Sequence, residues 1–322
     1  MALLQYMTKF ICCWIYLCII GVRPVCGEAE EVEEAISLLQ LSKSVHSSLY
    51  ASSTVLKNTT EQKKVVFGLF ISPGAQYKER MAAIDETWGK ELSPQQLLVI
   101  NGNSSIPNIT SKTTQLCPDK QNPGNLCKRA TLVATGFEMK VDWLVVLNDD
   151  HYVFPRHWEE LLENYNSSDK ILLGDHGCGN HTFCQDHKNG LCGGWGYAIS
   201  SGALQAMVGK YQEHPSQSYI METVIAAIEN KSPWGDQIIS CVARRSDVKE
   251  LTIPKTYFTV AEKTHDYSVW RDMIKSPEHK PLIFNFVDPE EMREIDKMTK
   301  VAEQARLMGL MEPEGTSPSQ KI

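Results

Sequence analysis

VDWLVVLNDDHYVF, residues 141–154, sets an almost unbroken apolar run against two adjacent carboxylates. Six of the seven residues from Val141 to Leu147 are apolar, as in a buried strand, and the run ends on Asn148, Asp149 and Asp150 before turning apolar again. Neighbouring carboxylates repel each other and lose hydration at such a place, so something must offset the cost. A divalent cation, an arginine, a helix N-terminus and plain solvent exposure are the candidates.

Outward from this stretch, strand-like and helix-like segments alternate. KKVVFGLFIS (63–72) reads as a buried strand stopped by Pro73-Gly74, and LLVING (97–102) as a second one closing on Asn-Gly. Between them YKERMAAIDETW (77–88) carries Met81, Ile84 and Trp88 at helical spacing. A cysteine-bounded segment leads to a helix around Lys128–Lys140, and Pro155 opens another over HWEELLENY. KILLGD is a further strand, and GGWGYAIS precedes a helix near Ser201–Tyr211. The alternation predicts an α/β fold with a largely parallel central sheet flanked by helices. Ligands of open sheets sit beyond the carboxyl ends of the strands, which is where Asn148, Asp149 and Asp150 fall.

At the far end, DPEE offers Asp288 as N-cap, Pro289 at the first helical position and Glu291 as capping-box partner. Met292, Ile295, Met298 and Val301 then form a stripe that predicts a helix docked on the core, with disorder expected after Pro313. At the other end, Lys9 precedes an apolar run from Phe10 to Val22, and VCG before Glu28 suits a signal peptidase. Residues 1–27 are therefore a signal peptide or an uncleaved signal-anchor, the latter being the chain's only contact with a membrane. Residues 28–62 read as a stem, weakly helical or disordered. Residues 63–290 form the folded domain, and 291–322 the terminal helix and tail.

Composition narrows the partners. A chain of 322 residues with 42% hydrophobic and 22% charged residues can bury a sizeable core. Its net charge of −7, without a dense basic patch, speaks against nucleic acid. Sequons at Asn58, Asn103, Asn108, Asn166, Asn180 and Asn230 favour the secretory pathway as N-glycosylation sites. Of ten cysteines four lie in the leader, and the rest, Cys117, Cys127, Cys178, Cys184, Cys192 and Cys241, suit disulfides in an oxidising compartment. Zinc is the rival reading, because His176, His181 and His187 interleave with the cysteines of 178–192, but the spacing matches no standard finger.

Three places carry candidate chemistry. Asp149 and Asp150 offer hard oxygen ligands suited to Mg²⁺ or Mn²⁺ bridging to a diphosphate, or else a solvated turn. GGWG (193–196) allows close approach to the backbone, or positive φ, but fits neither the dinucleotide fingerprint nor the phosphate-loop pattern. Asp236, opening the apolar run of PWGDQIISCV, reads on spacing as a helix N-cap, and also as a general base for an acceptor hydroxyl. GxSxG and HExxH are both absent.

Taken in order, ERMAAIDETW, CPDKQNPGNLCKRA running to DWLVVLNDDHYVFPRHWEELL, LCGGWGYAIS and WGDQIISCV resemble the Fringe-like family of β1,3-glycosyltransferases, over roughly residues 63–290. IFNFVDPEEM resembles the last strand and helix of that family's galactosyltransferase branch. The resemblance implies a GT-A nucleotide-sugar-binding fold, a UDP-sugar donor, Mn²⁺, inversion at the anomeric carbon and a type II anchor in the Golgi or ER. It implies transfer of a hexose or N-acetylhexosamine to a glycan or glycoprotein hydroxyl. Asp150 would take the metal, and Asn148 or Asp149 the ribose. Gly193, Gly194, Trp195 and Gly196 would line the donor sugar, with Arg80 in the same nucleotide-sugar set. Asp236 would be the catalytic base, and Cys117–Cys127 a family disulfide. The chain departs from the pattern at Asn148, which replaces an acid, and at Trp195, which replaces a small residue. The late metal-binding histidine falls on Thr259 or Asn285, leaving His265 as the nearest substitute. These losses favour an alternative, a catalytically silent relative that binds a protein or helps an active transferase to fold.

Overall fold

The computed structural model describes residues 63–71, 75–101, 111–113, 117, 121–178, 189–230, 234–260, 267–276 and 280–308. Its centre is the opening stretch. Strand β1 (Val65–Phe70) pairs in parallel with β2 (Leu97–Asn101) on one side. On the other side it pairs in parallel with β4 (Trp143–Leu147), Val65 opposite Trp143 and Leu69 opposite Leu147. Strand β3 (Ser111–Thr113) extends the sheet beyond β2. Past β4 come β9 (Tyr197–Ser200), β6 (Ile171–Gly174) and β10 (Lys249–Leu251), completing seven strands. Only β9 runs against its neighbours, so the sheet is parallel but for one strand.

Both faces of this sheet are covered, which is why β4 reads as continuous rather than alternating hydrophobicity. Successive side chains still divide between two cores. Trp143, Val145 and Leu147 pack with α1 (Ala75–Glu86) and α3 (Pro155–Glu163), through Ile84 and Trp158 among others. Leu144 and Val146 face the core built by α2 (Gln121–Glu138), α4 (Ser201–Met207), α5 (Pro215–Asn230) and α6 (Gly235–Arg244). A second sheet joins β5 (Tyr152–Val153), β11 (Tyr257–Val260) and β12 (Lys280–Phe284), with β12 central and α7 (Tyr267–Lys275) packed nearby. A short hairpin pairs β7 (His176–Cys178) with β8 (Gly190–Leu191).

Several boundaries differ from the sequence reading. Helix α2 starts at Gln121 rather than near Lys128 and so encloses Cys127. Trp88 lies past the end of α1, in a 3-10 turn, although it is fully buried. Helix α4 stops at Met207, well short of Tyr211. Helix α5 was not anticipated, for a physical reason. Its apolar residues do not keep to one face: Tyr219 and Ala226 are buried while Ile225 and Ile228 are exposed.

The terminal helix α8 (Pro289–Leu307) has the expected start. Asp288 Oδ1 accepts from the Glu290 and Glu291 N–H groups, and Glu291 returns the contact to the Asp288 N–H. Met292 and Ile295 join the core, but Val301 is 63% exposed and Ala302 is buried instead. Disulfides join Cys117 to Cys127 and Cys178 to Cys192, and Cys241 is also disulfide-bonded. The cysteine-rich loop is thus held covalently rather than by zinc at Cys178 or Cys192. Among the described residues no helix is long and apolar enough to cross a membrane.

Candidate active site

Asn148-Asp149-Asp150 is the link between the two larger sheets, since β4 ends at Leu147 and β5 begins at Tyr152. The two carboxylates coexist there because they take different neighbours. Arg80 on α1 donates from Nη1 to Asp149 Oδ1 at 3.3 Å. Burial pushes the Asp149 carboxyl up to about 6 despite Arg80, and the Asp150 charge adds to the rise. Asp150 instead lies beside His151, with Oδ1 3.9 Å from Nε2.

His151 is fully buried, and the Asn148 N–H donates to its Nδ1 at 3.2 Å. That contact places the ring proton of the neutral imidazole on Nε2. Burial pushes the imidazole down to about 4, against Asp150, the Gly194 backbone and Asn285, which favour the charged ring. Asp149 Oδ2 and Asp150 Oδ1 are buried without a hydrogen-bond partner. Natural interiors rarely leave carboxylate oxygens unpaired, and two on adjacent residues suit a ligand that brings positive charge or donors.

The glycine segment forms the facing wall. Gly193–Trp195 is a 3-10 turn directly after Cys192, whose disulfide to Cys178 anchors it. The Gly193 N–H donates to Asp236 Oδ2 at 2.6 Å. Asp236 is therefore not the N-cap that its spacing suggested. Trp234 holds that position with no side-chain cap, and Asp236 sits in the first turn with its carboxylate turned to the glycine loop. The contact uses one carboxylate oxygen, and the loop approaches so closely that a Cβ on Gly193 would stand 2.3 Å from Asp236 Cβ. Gly196 has φ +67° and carries the chain into β9. A Cβ on Gly194 would meet Asn285 Nδ2 at 3.1 Å, so the turn reaches from Asp236 on one side to the His151–Asn285 pair on the other.

The positions where the resemblance looks for a late histidine are otherwise engaged. Thr259 donates from Oγ1 to Asp175 Oδ2 at 3.3 Å. Asn285 is buried, and its Oδ1 accepts the Phe286 N–H at 2.8 Å. His265 lies outside the described residues, as do Asn58, Asn103, Asn108 and Asn180. Asn166 is an exposed turn residue, and Asn230 ends α5. Among the described residues no three His, Cys, Asp or Glu side chains cluster as a metal site. The donor set, Asp150 with its unpartnered oxygen, fits a hard cation that draws most of its ligands from phosphate and water.

One member of the site was missed from sequence. Arg129 on α2 is 8% exposed, its guanidinium 4.6 Å over the Phe70 ring and 5.9 Å from the Tyr197 ring. Its Nη2 lies 3.5 Å from Asn148 Oδ1. The signal was available: Arg129 stands three residues after Leu126 and four before Val133, on the buried stripe of its helix.

Comparison with known proteins agrees with the resemblance. A family model described as Fringe-like matches residues 69–254. No curated protein matches the chain in sequence. Among solved structures, the apo glycosyltransferase GlyE of Streptococcus pneumoniae is 12% identical, with 79% of this chain and 66% of that one covered at a TM-score of 0.40. Mouse xyloside xylosyltransferase 1 is 9% identical, covering 69% of this chain and 97% of its own at 0.41. Galactosyltransferase LgtC, solved with donor and acceptor sugar analogs, is 10% identical, with 74% and 96% covered at 0.40.

Proposed function

The chain belongs to the Fringe-like family of glycosyltransferases, and we propose that it is an inverting enzyme of the secretory pathway. On this reading it transfers a hexose or N-acetylhexosamine from a UDP-sugar to a glycan or glycoprotein hydroxyl, through a β1,3 linkage. The observation that carries the reading is the convergence of Asp236 and Asp150 on the two ends of one glycine turn, Asp236 at Gly193 and Asp150 through His151 at Gly194. A relative kept only for binding has no chemical need for that arrangement.

Asp236 accepts the proton of the acceptor hydroxyl as its oxygen attacks the anomeric carbon, and the bond from that carbon to the β-phosphate oxygen breaks with its electron pair leaving on UDP. A single displacement inverts the centre. The Gly193 N–H fixes Asp236 in orientation while its second oxygen is used for the proton. Arg80 holds Asp149, and Asn148 or Asp149 would meet the ribose. Asp150 would hold Mn²⁺, which neutralises charge on the departing diphosphate when bound. His151, neutral at pH 7, lies beside Asp150 without competing for that charge. The disulfides at Cys117–Cys127 and Cys178–Cys192 support an oxidising compartment.

Asn148 and Asn285, standing where the pattern has an acid and a histidine, favour a second reading as a silent binding or folding partner. Calorimetry of UDP binding to the full chain, with Mn²⁺ and then EDTA, beside Asp150→Ala, separates the two. The enzyme reading expects metal-enhanced binding that Asp150→Ala removes. Absence of UDP binding in both conditions favours the silent partner.

A further inference from the structure

The donor cleft contains a buried cation that nothing in the mechanism above uses. Nε and Nη1 of Arg129 have no hydrogen-bond partner, and the groups its guanidinium does meet, Asn148 Oδ1 from Nη2 and the Tyr197 hydroxyl, are neutral. The ion pairs among the described residues do not include Arg129. Two aromatic faces offset part of the lost hydration, but a guanidinium with unfilled N–H donors normally meets an oxyanion.

Its surroundings add to the demand for negative charge. The start of α6 lies against it, a Cβ on Gly235 standing 3.4 Å from Nε. That helix has no side-chain cap, so the partial positive charge of its first N–H groups is added to that of Arg129. The first-turn acid, Asp236, gives one carboxylate oxygen to Gly193. At the end of β4, Asn148 brings no charge.

We propose that Arg129 is an anion anchor of the donor site, its open donors taking an oxyanion of the nucleotide-sugar. Two parts of such a ligand carry one: the diphosphate, and the carboxylate of a donor hexuronic acid. Either way the anchor is a protein cation additional to any metal at Asp150, and the inference rests on the donor-site reading above.

The test is calorimetry on the full chain with Mn²⁺, titrating UDP, UDP-glucose and UDP-glucuronate into wild type, Arg129→Met and Arg129→Lys. If the anion is the diphosphate, Arg129→Met weakens all three by about tenfold or more. If it is the sugar carboxylate, only UDP-glucuronate weakens, and its advantage over UDP-glucose in the wild type disappears. Arg129→Lys, which keeps the charge and loses the fork, is expected to fold as wild type and to lose less affinity. The ligand-free melting temperature of Arg129→Met is expected to match or exceed that of wild type, because an uncompensated buried charge is removed. A fall in melting temperature with all three affinities unchanged would reduce Arg129 to a packing residue and overturn the anchor. A wild type that binds none of the three overturns the donor-site reading, and the anchor with it.

Discussion

Asp149 and Asp236 are both carboxylates held by a single donor, Arg80 for one and the Gly193 N–H for the other. Asp236 keeps one oxygen on a backbone N–H, and in the proposed mechanism the other takes the acceptor proton. Asp236→Asn is expected to lower transfer by about 10²- to 10⁴-fold with UDP affinity unchanged, read by steady-state kinetics beside calorimetry. Asp149 is held by Arg80 in a setting that opposes its charge. Its folded carboxyl is raised from 3.8 to about 6, so its contribution to stability is complete below pH 3.8 and is lost as pH rises through 6. Asp149→Asn leaves Arg80 unpaired, which adds an offset independent of pH. Melting curves of both proteins between pH 4 and 6.5 should therefore show the variant gaining on wild type as pH rises, and a constant difference would refute the shift.

At the scale of elements, the glycine turn and the helix starts carry the precision. In Gly193→Ala the new Cβ, 2.3 Å from Asp236 Cβ, forces Asp236, the proposed base, to move. The expected loss of kcat is on the order of 10²-fold, with thermal stability changed much less than activity. Asp288→Ala removes the capping box of α8 and should cost about 1 kcal/mol in urea denaturation. Helices that announce themselves by caps and stripes were legible in sequence: Pro155 and Asp288 both open helices as their residues dictate. The strand of residues 143–147 was equally legible, because burial on both faces leaves an unbroken apolar run. Asp236 was misread as a cap because spacing along one helix cannot show a loop 43 residues earlier that supplies the competing N–H. Arg129 was missed because a lone charge on an apolar stripe gains meaning only from what surrounds it in space.

Across the whole molecule, the cleft depends on connections far apart in sequence. The Cys178–Cys192 bridge spans 14 residues and holds the turn that faces Asp236. Replacing both cysteines with serine should cost about 3 kcal/mol of stability, measured by thermal or urea unfolding, and should lower transfer through the loosened turn. The larger dependence lies at the acidic motif. Strand β5 has two residues and no standing of its own; it is held by β12, with Ile283 opposite Val153, and the Val287 N–H donates to the Asp150 C=O at 3.1 Å. The family model's match ends at 254, but the residues that pin Asp150 come some thirty residues later. A nascent chain leaving the ribosome therefore carries Asp149, Asp150 and Asp236 before it has the strand against which β5, and with it the backbone of Asp150, is held.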